Sequence, residues 1–219
     1  MTDTATAGAA SAPPQRDWIE VVATVLLALA AVATAWSSYQ STRWNGEQAK
    51  GAARVNALRI DAARAQGLAQ SQTQVDIETF IQWANAYAHD DQPLEDFYSE
   101  RFRAEFRPAF EAWVATKPLT NPDAPPTPFA MDEYQLAAQV EADQYDAQAE
   151  AQSAKVRVDI QRASNYVLGV VLFAVALFFA GMSTKLKGVG VRTALLVVGC
   201  ALFIGTAAWI ATFPVNIAV

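Results

Sequence analysis

Few residues in this chain are of a type and spacing that could do chemistry. The single histidine, His89, stands in His89-Asp90-Asp91. An imidazole beside two carboxylates is a donor set that can ligate a divalent metal. On a helix, however, consecutive side chains point in different directions, and no second histidine or nearby thiolate joins them. A polar helix terminus, with imidazole near the last carbonyls, accounts for the same tripeptide. The single cysteine, Cys200, has no partner for an intramolecular disulfide and lies in an apolar run, where a small packing residue is expected. Gly188-Val189-Gly190 is a flexible turn rather than a phosphate cradle. His-Glu-x-x-His, Gly-x-Ser-x-Gly and Walker A patterns are all missing, and no serine is marked as a nucleophile. The expectation is a protein that is not an enzyme and carries no cofactor and no metal. A membrane-anchored, metal-dependent enzyme using His89 is the weakest alternative.

The elements that would position any site are dominated by three apolar blocks. The chain is 53% hydrophobic and 17% charged, below the roughly 25% charge of ordinary soluble domains. Its net charge of −6 gives a nucleic-acid partner no electrostatic footing. Tyr166–Met182 and Thr193–Val219 carry no charge and flank a short basic loop. Each has about the 20 apolar residues that a membrane-spanning helix needs. A third such block begins at Trp18 and ends near Tyr39, bracketed by Trp18 and by Trp36 and Tyr39 as aromatic belts. A cleaved signal peptide ending at Ala33-Thr34-Ala35 is the rival reading, but Asp3, Asp17 and Glu20 against Arg16 are not a basic leader.

The fold class that follows is an all-α membrane protein with three transmembrane helices and a long antiparallel helical hairpin outside the bilayer. Residues 1–16 form a disordered tail rich in Thr, Ala, Ser, Gly and Pro. The spans are 17–40, 165–183 and 192–213, with a basic loop at 184–191 and a tail at 214–219. The extramembrane region, 41–164, divides into a long helix at 41–90, a kinked or broken helix at 94–116 around Pro108, a proline-rich loop at 117–130 and a second long helix at 131–164, with Asp132 as its N-cap. Val55, Leu58, Ala62, Ala65 and Ala69 mark a coiled-coil stripe on the first long helix, and Val140, Gln144, Ala147, Ala151, Ala154 and Val158 its counterpart on the second. Pro125-Pro126-Thr127-Pro128 connects the two arms rigidly, with a polyproline ligand as the lesser reading.

Charge is polarised along the extramembrane region. Arg43, Lys50, Arg54, Lys155, Arg157 and Arg162 form a basic collar next to the spans; with Lys185, Lys187 and Arg192 of the short loop they are the candidate contacts to lipid headgroups. The distal half is acidic. The positive-inside rule places Lys185, Lys187 and Arg192 in the cytoplasm and the helical domain on the opposite side; the collar argues the reverse, and the short loop is given more weight. No acidic or basic residue sits mid-span, which disfavours ion-coupled transport.

Two stretches resemble bacterial three-span membrane proteins grouped as a domain of unknown function. One is Trp36-Ser37-Ser38-Tyr39-Gln40-Ser41-Thr42-Arg43-Trp44-Asn45-Gly46. The other runs from Asn165-Tyr166-Val167-Leu168 into Phe178-Phe179-Ala180-Gly181-Met182-Ser183-Thr184-Lys185. The resemblance implies a bacterial inner- or plasma-membrane location and transfers no activity. The function expected is a non-catalytic integral membrane protein whose helical domain mediates self-association or partner binding at the membrane surface. Trp83, Tyr87, Phe97, Phe102, Phe106, Phe110 and Trp113 are its candidate partner surface. An oligomeric channel or transport-accessory subunit is the alternative.

Overall fold

A computed structural model describes residues 18–217; the expected N-terminal tail lies outside them. Among the described residues the chain is helical and has no strand. The helices are α1 (Trp18–Ala88), α2 (Gln92–Glu100), α3 (Arg107–Ala115), α4 (Ala137–Lys185) and α5 (Val189–Ile210), with one 3₁₀ turn at Pro128–Ala130. α1, α4 and α5 each contain a stretch long and apolar enough to cross a membrane. α1 continues through Gly46, Gly51 and Gly67 without interruption. The chain divides into two compact units, Met1–Gln48 with Arg157–Val219 and Ala49–Val156. α1 and α4 contribute to both.

In the first unit, Ile19, Ala23 and Leu26 of α1 cluster with Ala180 of α4 and Leu196 of α5. Trp44, Ala163, Tyr166, Phe173 and Ile210 form a second cluster. A Cβ added at Gly199 would lie 3.4 Å from the Ala176 carbonyl oxygen and 3.5 Å from the Ala180 nitrogen, the close backbone approach that small residues permit between apolar helices. The outward positions are apolar too: Val32, Phe178, Val197 and Ile204 are all at least 60% exposed. A water-facing helix would put polar side chains there.

In the second unit, the expected stripe on α1 is the buried one: Val55, Ala62, Ala65 and Ala69 are buried and Leu58 half-buried. The stripe expected on α4 is displaced. Val140, Gln144, Ala147, Ala151, Ala154 and Val158 are exposed; the inward positions are Ala138, Ala142, Tyr145, Ala149, Gln152 and Val156. The same steps of three and four apply, two residues earlier. The start of α4 is also corrected. It begins at Ala137 rather than Met131, and residues 131–136 are a bend and turn followed by irregular chain. Asp132 is not its cap; the Glu105 carboxylate accepts the Ala137 N–H at 3.1 Å instead.

The expected break in 94–116 falls at residues 101–106, giving α2 and α3. Pro108 sits in the first turn of α3, where its missing N–H costs nothing. α2 starts at the Asp91 cap, whose carboxylate accepts the Leu94 N–H at 3.3 Å.

Candidate functional site

The second unit carries an aromatic cluster built from several segments. Phe102, Phe106, Phe110 and Trp113 are its buried members, and Phe80, Trp83, Phe129, Met131 and Tyr134 pack around them. Most ring pairs meet edge to face: Trp83 with Phe110 at 4.7 Å, Phe102 with Phe110 at 4.8 Å, Phe80 with Trp113 at 5.4 Å. That geometry sets the positive edge of one ring against the negative face of the next. Of the residues expected to form a contact surface, Phe102, Phe106, Phe110 and Trp113 are therefore core. Trp83 is half-buried, and Tyr87 and Phe97 are exposed. Phe97 stands apart from the cluster, beneath the Arg101 guanidinium at 3.7 Å.

Where this cluster reaches the surface it opens into an apolar cavity of about 480 Å³. Trp83 and Tyr87 of α1 form one wall, stacked at 5.4 Å. Trp113 and Val114 of α3 form another, and Lys117-Pro118-Leu119 closes the third side. The size falls within the range of ligand and peptide-anchor pockets. Its rim is apolar, since Val114 is 44% and Leu119 73% exposed. The Trp113 indole is oriented by donating to the Pro125 carbonyl at 2.8 Å. Lys117, with φ of 56°, ends α3 in the left-handed region. Its N–H donates to the Val114 carbonyl and its own carbonyl accepts the N–H groups of Thr120 and Asn121. Pro118 then prevents the helix from resuming. Lys117 is the one charged residue among those lining the cavity.

Beside the aromatic core lies a polar network that composition did not reveal. Asp76 is fully buried and accepts from Arg103 Nη1 at 2.7 Å and from the Tyr134 hydroxyl at 3.1 Å. Arg103 also pairs with Glu105, whose other oxygen holds the start of α4. Burial pushes the Asp76 carboxyl above its ordinary value, outweighing the opposing pull of the Arg103 charge and the hydrogen bonds from Tyr134 and Arg103. Burial likewise raises the Tyr134 phenol. The signal for this network was present: Asp76 falls seven residues after Ala69, on the continuation of the buried α1 stripe, where an acid needs a partner.

The remaining candidates are dispersed. His89 Nδ1 is 2.8 Å from the Asn85 carbonyl oxygen on an exposed helix end, and among the described residues no three metal-ligating side chains come together. Cys200 packs beside the Ile19–Leu196 cluster. Among the expected headgroup contacts, Lys50, Arg54, Lys155, Arg157, Lys185 and Lys187 are exposed. Arg43 is half-buried. Arg162 is half-buried over the Trp44 ring at 4.5 Å, and Arg192 Nε donates to the Ser183 carbonyl at 3.1 Å. No family model, curated protein or solved structure matches the chain.

Proposed function

We propose that this chain is a multi-pass bacterial inner- or plasma-membrane protein without catalytic activity, whose helical unit docks a protein partner through the aromatic cavity. The cavity is the observation that carries this reading. Its walls are built on two helices and fixed by hydrogen bonds, and its rim presents Tyr87, Val114 and Leu119 to an apolar side chain of the partner. Buried aromatic pockets with apolar rims are where binding energy concentrates. The partner is a second copy of the chain or another membrane protein.

Three apolar helices support the membrane assignment. An antiparallel hairpin of α1 and α4 is supported by their pairings: Gly51 approaches Val156, Ala69 clusters with Leu136 and Ala138, and Thr73 meets Tyr134. The exposed cations beside the spans are proposed headgroup contacts, and the helical unit is placed opposite the Lys185–Arg192 loop, outside the cytoplasm.

The test is site-specific photo-crosslinking in native membranes, with the photoreactive residue at Leu119 or Tyr87 and a control at exposed Gln144. A discrete adduct at the first two sites, lost in a Trp83→Ala background, is expected. Differently tagged copies distinguish self-association from a second protein. Labelling that is equal at all three sites, or absent from all, would overturn the proposal.

A further inference from the structure

We propose that the occupant of the aromatic cavity is α2 of a second copy of this chain, so that two copies form a dimer by exchanging α2 in both directions. This rests on the reading of the cavity as a docking site. α2 is the helix that the fold leaves uncovered: none of its residues is buried. Yet it carries an apolar face. Leu94 and Phe97 are three residues apart, and Tyr98 is four from Leu94, so the three share one side of the helix. Leu94 is 38% and Phe97 45% exposed, although Arg101 covers one face of the Phe97 ring. A helix of nine residues is marginal on its own and draws its stability from packing such a face.

Charge complementarity selects the occupant. Asp90, Asp91, Glu95 and Asp96 lie in α2 or just before it, and none forms an ion pair with a described residue. Lys117, the one charged residue among those lining the cavity, forms none either. The cavity therefore matches an apolar segment flanked by acid. Asp91–Tyr98 is such a segment, with Glu95 beside Leu94 at the edge of the apolar face. Laying two anchors at i and i+3 into an apolar groove is a recurring mode of helix recognition.

α2 lines no part of the cavity in its own chain, so an α2 seated there comes from another copy. Both halves of the contact belong to one compact unit, Ala49–Val156. A two-fold axis makes the exchange reciprocal, and two such seats close the assembly at two copies.

The full chain in mild detergent, with Cys200 replaced by alanine, is made in two tagged forms, one with Leu94→Cys and one with Leu119→Cys, which are co-expressed and oxidised. A disulfide joining the two tags is expected, well above that formed when Gln144→Cys replaces Leu119→Cys. Sedimentation over a concentration series reads the dimer. Leu94→Asn should raise its dissociation constant about tenfold or more, with wild-type helical content by circular dichroism. Lys117→Glu and Glu95→Lys should each raise it about threefold, and the two together should recover most of that loss. A chain that stays monomeric throughout the series would overturn the proposal. So would a dimer unmoved by Leu94→Asn and by both charge reversals, or cysteine pairing no better at Leu119 than at Gln144. The Leu119 photo-crosslink separates the two readings: an adduct to a different protein from a monomeric chain refutes only the α2 exchange, whereas the absence of any adduct refutes docking in the cavity as well.

Discussion

Asp76 shows how much of the second unit depends on single side chains. Its carboxylate joins α1 to the 101–106 segment through Arg103 and to the segment before α4 through Tyr134. Asp76→Ala would leave a partly buried guanidinium and a phenol without their acceptor, at a cost of about 2–4 kcal/mol, read as a lower midpoint of thermal unfolding. The sign of its pH dependence follows from burial. Because the folded carboxyl binds its proton more tightly than the unfolded one, the stability it contributes is fully present below the ordinary aspartate range. It is lost as pH rises through the elevated folded value. The difference in stability between the wild type and Asp76→Asn, measured by thermal unfolding of the full chain in detergent, should therefore shift against the wild type across that window and level off above it. Lys117 is a second such residue. Its left-handed backbone favours glycine, so Lys117→Gly should keep the fold while removing the charge from the cavity, with circular dichroism and the Leu119 crosslink as readouts.

Among the elements, the contact between α1 and α4 separates two glycines that look alike in sequence. A Cβ at Gly51 would lie 2.6 Å from Val156 Cγ2, whereas one at Gly67 would meet nothing within 4 Å. Gly67→Ala should thus add about 0.5–1 kcal/mol through helix propensity. Gly51→Ala should lose stability despite the same propensity gain, because valine is stiff and overpacking costs about 1–3 kcal/mol. Val156→Ala should restore the Gly51→Ala variant in a double-mutant cycle of thermal stabilities. The same contact explains what the sequence did and did not disclose. Val55 and Leu58 anchor the phase of the α1 stripe, since large apolar residues at those positions have few alternatives. α4 has alanine at 142, 147, 149, 151 and 154, which satisfies more than one heptad phase. Only the partner surface selects among them, and the stripe beginning at Val140 is off by two residues. The aromatic cluster was legible as a set of rings, but not which rings face inward, because α2 and α3 are short and their orientation depends on the 101–106 break. The cavity was not legible at all: its third wall is a proline-rich loop without periodicity.

At the scale of the whole chain, the proposed membrane topology makes a prediction of its own. The three helices long and apolar enough to cross a membrane were legible because length and apolarity alone define them. Side preference rests on a few cations. With Cys200 replaced by alanine, Asp123→Cys should react with an impermeant maleimide on intact cells, and Lys187→Cys only after permeabilisation. The opposite pattern would place the helical unit in the cytoplasm and credit the collar over the short loop.

The Tyr134 hydroxyl bonds also bear on the order in which the chain assembles. Tyr134 meets Asp76 and Thr73 across separations of 58 and 61 residues, and Glu105 meets Ala137 across only 32. The Gly51–Val156 contact must close a longer loop, and closure entropy grows with loop length. Once the Asp76–Tyr134 bond is made, each further pair of the seam needs only local closure. Pairing of α1 with α4 should therefore start at Asp76 and Tyr134 and proceed towards Gly51, so that in pulsed hydrogen exchange during refolding the amides around Asp76 gain protection before those around Gly51.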